Sequence, residues 1–245
     1  QREKLLEELA KSNEDLERFA YVASHDLQEP LRMVRSFTGL LEQRYAEELD
    51  DTAKEYINIA HSSAGRMQEL VKDLLEYSRI GSEAEKYEEV RLNDILGNVL
   101  QNLQERIQKS AARITHDDLP IVHGNPVQLS RVLQNLIGNG LKYQPTDNKA
   151  KIKILSEKRG NEWLITVTDN GIGIKDEYRK KVFEPFKRLH GKEEYSGTGM
   201  GLPICKRIIE GCGGKIWIED TENGKGTAFC FTLPQTTNRR KSDDG

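Results

Sequence analysis

Leu5, Leu9, Ser12, Leu16 and Phe19 recur at alternating steps of four and three, and Ala23, Leu27, Pro30, Val34, Phe37 and Leu41 prolong nearly the same stripe. That spacing places them along one face of an α-helix. The pattern therefore predicts one long helix with a narrow apolar seam. Glu48-Leu-Asp-Asp-Thr52 interrupts it with turn and N-cap chemistry, and a second stripe follows through Ile59, Ser63, Met67, Leu70, Leu74 and Tyr77. Two amphipathic helices joined in this way form a hairpin that cannot enclose a core alone. A second copy of the hairpin would bury both seams, so the expectation is a four-helix bundle made by homodimerisation.

Beyond Tyr77 the pattern changes. The polar, aperiodic stretch Ile80-Gly-Ser-Glu-Ala-Glu-Lys-Tyr87 suits a linker. A helix is predicted near Leu92–Ser110, followed by short β-like runs at Arg113–Asp117 and Ile121–His123. A second helix should run from about Pro126, with Asn125 as its cap, to Lys142. Alternation in Lys151–Glu157 and Trp163–Asp169 predicts paired strands around the turn Arg159-Gly160-Asn161. A glycine-broken loop, a helix near Leu202–Gly211 and a last hairpin, Lys215–Glu219 with Thr227–Leu233, complete an α+β layer with a mainly antiparallel sheet. The tail 235–245 is polar and is expected to be disordered.

Composition narrows the function classes. A net charge of −3 and a pI near 6.1 give no general attraction to nucleic acid, so none is expected as a partner. With 31% charged residues and a mean hydropathy of −0.70, the chain reads as soluble, with one large domain or two modest ones. The three cysteines, Cys205, Cys212 and Cys230, lack Cys-x-x-Cys spacing and predict neither a disulfide framework nor a zinc site. No apolar run approaches the roughly 20 residues needed to cross a bilayer. The chain starts on Gln inside a helical pattern, which reads as a fragment whose upstream part is missing. The expected location of this piece is the cytoplasm, whether the full-length protein is soluble or attached to a membrane.

Candidate chemistry gathers in the second half. Asn135 and Asn139 are four residues apart and share a helix face, and Lys142 follows three residues later. Magnesium prefers oxygen ligands and keeps much of its water, so one amide carbonyl with phosphate oxygens can hold it. Asp169 ends a β-like run and leads into Asn170-Gly-Ile-Gly173, where glycines allow a flat base to lie close to the backbone and a carboxylate can accept from an exocyclic amine. Gly197, Gly199 and Gly201 precede an apolar helix, whose N–H groups and positive end suit phosphates. The polar stretch 187–196, with Arg188, His190 and Lys192, could cover a nucleotide. Each element has a plainer reading as helix decoration or ordinary turn chemistry; their order and spacing together point to a magnesium nucleotide.

With those elements in that order the chain resembles the ATP-binding domain shared by sensor histidine kinases, DNA gyrase, mismatch-repair ATPases and heat-shock chaperones. Asn135-x-x-x-Asn139 with Lys142 and Tyr143 matches the family's N box, Asp169-x-Gly171-x-Gly173 its first glycine box, and Gly197-x-Gly199-x-Gly201 its second. Phe183-Glu-Pro-Phe186 matches the F box of the kinase branch. The resemblance implies an α/β-sandwich fold, Asn139 on magnesium, Asp169 on adenine and the intervening loop as an ATP lid. Tyr143, Arg188, Thr198 and Leu202 join the nucleotide set on the same ground.

His25 lies about 200° around the helix from the apolar seam, facing solvent. Its neighbour Asp26 could orient one ring nitrogen and leave the other free to attack phosphorus. A solvated surface histidine is the plainer reading. However, Ser24-His-Asp-Leu-Gln-Glu-Pro-Leu31 resembles the H box of the dimeric phosphoacceptor domain of sensor histidine kinases, most like the phytochrome-type branch. The resemblance implies His25 as phosphoacceptor, Asp26 as its acid/base partner, and a response regulator as recipient of the phosphoryl group. In one respect the chain departs from many relatives, which carry Thr or Asn four residues after the histidine, where this chain has Glu29. The implied organisation is a coiled-coil signalling helix (1–18) from a sensor domain, a dimerisation and phosphotransfer domain (19–80), a linker (81–89), an ATP-binding domain (90–234) and the tail. Two rival readings are a dimeric scaffold that binds ATP without transferring it and an ATPase driving clamp closure. The second lacks an acidic residue between Pro126 and Tyr143 to align water.

Overall fold

A computed structural model describes residues 24, 26–80, 87–146, 148–189, 197–221 and 224–235, and these fall into two units. The leading stripe up to Ala23, the linker 81–86 and the tail 236–245 lie outside the described residues.

The first unit is a helical hairpin. Its first helix, α1, covers 26–45 and runs unbroken across Pro30; α2 covers Asp51–Arg79, roughly 43 Å at 1.5 Å per residue. The turn between them ends at Asp50, whose carboxylate accepts from the Ala53 N–H at 2.7 Å and satisfies one of the orphan donors of the first turn. Between the helices, Thr38 Oγ1 meets His61 Nδ1 at 3.1 Å, and Arg35 donates to Gln68 at 3.3 Å. Over the described residues much of the predicted seams stays uncovered within one chain: Phe37 is 57% and Ile59 53% exposed, and Leu27, Val34, Leu41 and Met67 are also exposed, while Leu70, Leu74 and Tyr77 are half-buried. Residues 197–200 group with this unit, where Thr198 Oγ1 donates to Asp73 Oδ2 at 2.5 Å.

The second unit is an α/β sandwich. In chain order it comprises β1 (Glu88–Arg91), α3 (Leu92–Asn102), α4 (Gln104–Lys109), β2 (Arg113–His116), β3 (Ile121–Gly124) and α5 (Pro126–Lys142). Then follow β4 (Lys151–Arg159), β5 (Glu162–Asp169), two 3-10 turns (Asp176–Tyr178 and Lys181–Phe183), α6 (Gly201–Gly211), β6 (Ile216–Glu219) and β7 (Ala228–Pro234). The main sheet has the order β2-β4-β5-β7-β6, with β2 parallel to β4 and the other pairs antiparallel. One face packs against helices: Leu96 and Val99 of α3, Leu133 and Ile137 of α5 and Ile204 and Ile208 of α6 are buried together with Ile152, Ile165, Val167, Phe229 and Phe231 of the sheet. Each such side chain contributes about 1.5–3 kcal/mol of burial, which fixes the strand ends that carry the site.

Two elements differ from expectation. The single helix predicted over 92–110 divides at Leu103, whose ψ of 2° leaves the helical range while its side chain is buried; an apolar period cannot show a one-residue departure of the backbone. β1 occupies the end of the stretch expected as linker. Only Val90 of its four residues is buried, so it carries no alternation, and it exists because β3 pairs with it, Val90 opposite Val122.

Candidate functional site

The site is built where the end of α5 meets the end of β5. Asn125 starts α5 by accepting from Val127 and Gln128 N–H groups at 3.0 and 3.2 Å, with Pro126 fitting the first helical position. The helix closes at Tyr143, whose N–H donates to the Asn139 carbonyl at 2.9 Å. Lys142 turns its ammonium onto the Tyr143 hydroxyl at 2.8 Å and lies 4.2 Å from that ring's centroid. Asn135 reaches the first residue of α6, donating to the Gly201 carbonyl at 3.4 Å. The Asn139 amide makes no hydrogen bond among the described residues and is half-buried.

Asp169 is 9% exposed. Its Oδ1 accepts from Gly171 N at 2.8 Å and Thr227 N at 3.2 Å, and its own N–H donates to the Thr227 carbonyl at 2.9 Å. Burial raises the carboxyl above its usual range, and the two backbone donors oppose that rise. Both donors converge on one oxygen, which leaves Oδ2 as the acceptor for a ligand's N–H.

Close backbone approach makes this geometry possible. A Cβ on Gly171 would overlap the Tyr143 carbonyl oxygen, which accepts from Ile172 N at 3.1 Å. On Gly140 it would stand 3.2 Å from the Asp169 Cβ. Gly226, with φ +85°, could not carry one without overlapping the Asp169 carbonyl. The N-box helix, the first glycine box and the start of β7 are thereby locked together. Beside them an open cleft of about 820 Å³ runs along Gly171–Lys175, with Tyr178, Arg179, Asp220 and Lys225 on its walls. Arg179 bridges its rim, paired with Asp176 at 2.7 Å and with Asp220.

The structure thus brings Asn135, Tyr143, Asp169, Gly171, Gly173 and Gly201 into one neighbourhood, with Asn139 and Lys142 on the same helix end and Leu202 next to Gly201 at the start of α6. Gly197, Thr198 and Gly199 are grouped with the helical unit. Arg188 is exposed. His25, His190 and Lys192 lie outside the described residues, and Asp26 is exposed on α1. Sequence reasoning overlooked Thr227 and Gly226, although Gly224-Lys-Gly-Thr227 immediately before the last strand was a readable signal of a tight approach. A magnesium ion fits the donor set: among the described residues no cluster of three or more His, Cys, Asp or Glu is present, while Asn139 offers one uncommitted amide oxygen, the single protein ligand a largely hydrated, phosphate-bound magnesium needs.

Comparison with known proteins places both halves. The family profile described as "Histidine kinase-, DNA gyrase B-, and HSP90-like ATPase" matches residues 124–237, and that of the "His Kinase A (phospho-acceptor) domain" matches residues 15–83. Cyanobacterial phytochrome A of Nostoc sp. is 43% identical over 98% of this chain and 31% of its own length. The catalytic domain of histidine kinase ThkA is 31% identical, with a TM-score of 0.52, over 61% of this chain and 98% of that one. ThkA in complex with the response regulator protein TrrA is 28% identical, with a TM-score of 0.63, over 95% of this chain and 67% of that one. The chain spans about a third of the length of the phytochrome relatives it matches.

Proposed function

The chain belongs to the sensor histidine kinases, and from that premise we propose that it is a kinase core that binds magnesium ATP in its sheet unit and moves the γ-phosphoryl group to His25. The observation that carries this reading is Asp169, a buried carboxylate with one oxygen spent on two backbone N–H groups and the other open beside the end of the N-box helix. That oxygen accepts the exocyclic amine of adenine. Gly171 and Gly173 let the base lie against the loop, and Asn135 and the start of α6 at Gly201 and Leu202 face the phosphates, with Gly197, Thr198 and Gly199 of the second glycine box and Arg188 completing the set. Asn139 would hold magnesium, which when bound neutralises phosphate charge, and Lys142 supplies a further cation once released from Tyr143.

In the transfer, the neutral His25 ring attacks the γ-phosphorus through one nitrogen, a P–N bond forms and the P–O bond to ADP breaks. Asp26 holds and then accepts the proton on the other ring nitrogen. The chain's contribution is positioning and charge, not a covalent step of the ATP-binding unit. The phosphoryl group then passes to an aspartate of a response regulator, the class of partner bound in the ThkA structure. The exposed seams of α1 and α2 pair with those of a second copy in a four-helix bundle.

Incubated with magnesium and γ-labelled ATP, the chain should become labelled, and adding a receiver domain should remove the label. A chain that binds ATP and never takes up label contradicts the reading.

A further inference from the structure

Asn170, the residue after Asp169, is not accounted for by adenine recognition. Its side chain does not serve its own turn. Oδ1 accepts from Lys151 N at 2.7 Å, and Nδ2 donates to the Lys149 carbonyl at 3.1 Å, 19 and 21 residues back along the chain. Asn148 answers from that segment: its amide donates to the Asn170 carbonyl at 3.0 Å and to Gln144 Oε1 at 2.6 Å. Gln144 in turn donates to the Gly140 carbonyl, next to Asn139. A continuous set of amide hydrogen bonds therefore links the helix turn that carries Asn139 to the residue that follows Asp169.

We infer that Asn170 and Asn148 form a clasp that sets the position of the Asp169 carboxylate relative to the N-box helix, and so act as positioning residues for recognition of the adenine amine. This rests on the nucleotide reading of the site. None of these bonds is fully buried, those to Lys151 N and the Lys149 carbonyl being exposed and the other three half-buried, so they add less to stability than fully buried ones, whereas a carboxylate that must meet one amine in one direction is sensitive to small displacements. The side chains reach across the fold; an ordinary asparagine turn would close on its own backbone. Asn148 belongs to none of the boxes and lines the open cleft that runs along Gly171–Lys175.

The test compares ADP with IDP, whose base lacks the exocyclic amine, by calorimetry in the presence of magnesium, for wild type, Asn170→Ala, Asn148→Ala and the double variant. Each single variant should weaken ADP binding by about tenfold and IDP binding far less, narrowing the preference for the amine, and the double variant should lose less than the product of the two. Asn170→Asp, which keeps the acceptor for Lys151 N, should fall between wild type and Asn170→Ala. Unchanged ADP affinity and preference in both single variants would overturn the clasp. Equal loss of ADP and IDP affinity, in step with a lowered melting temperature, would make the residues structural only and also overturn it. Failure of the wild type to bind ADP would instead sink the nucleotide reading itself.

Discussion

Under the proposed function, Asp169 combines two demands that conflict in the free protein and would agree once a nucleotide is bound. Its carboxyl titrates above the usual range because burial penalises the charge more than two backbone donors relieve it. A carboxyl with a raised folded value binds its proton more tightly in the folded state. Its ionisation therefore costs stability as pH rises through that value, and protonation at lower pH restores it. Asp169→Asn keeps an oxygen for Gly171 and Thr227 and removes the charge. The variant should melt a few degrees higher without nucleotide, on the order of 1 kcal/mol, while losing about 10- to 100-fold in ADP affinity, the worth of a hydrogen bond to a charged group. Wild-type ADP affinity should fall as pH drops through the raised value. A lower melting temperature with intact binding would contradict both statements. Gly171→Ala presents the opposite case: its methyl group meets the Tyr143 carbonyl oxygen, and the unfolding free energy should drop by about 2–4 kcal/mol in a denaturant titration.

Among the elements, α5 depends on its cap. Asn125→Ala removes the acceptor for two N–H groups and should lower stability by about 1 kcal/mol, read as a shifted denaturation midpoint with unchanged slope. The hairpin leaves much of its seams exposed within one chain, and the proposed four-helix bundle would cover them with a second copy. Replacing Phe37 and Leu41 with Glu should convert a dimer to a monomer in sedimentation velocity without loss of helical ellipticity; a dimer that persists would place the interface elsewhere. These same elements show what could be read from the chain. α5, β4 and β5 follow from an apolar period because each buries one face, the hairpin helices carry such a period as a seam left largely exposed within one chain, and β6 and β7 follow from short apolar runs between turns, β7 being buried at six consecutive positions. β1 left no periodic trace, since only Val90 points inward, and the break at Leu103 is a single backbone angle. At the site, Asp169 and its glycines were legible as turn chemistry beside a helix. The contributions of Thr227, Asn148 and Asn170 were not, because each acts across a sequence separation of 19 or more residues that only the folded sheet brings together.

For the whole molecule, the proposed division of labour is between a sheet unit that would hold nucleotide and a helical unit that would accept the phosphoryl group. No helix among the described residues is long and apolar enough to cross a membrane. Cys230, pushed up to about 11 mainly by burial, is not poised as a thiolate nucleophile. The most direct measurement incubates the chain and its His25→Gln variant with magnesium and γ-labelled ATP and then challenges the label with acid. The account predicts label on the wild type that acid removes, as a phosphoramidate requires, and none on the variant, with equal ADP affinity in the two. Acid-stable label, or label that survives on His25→Gln, would contradict it.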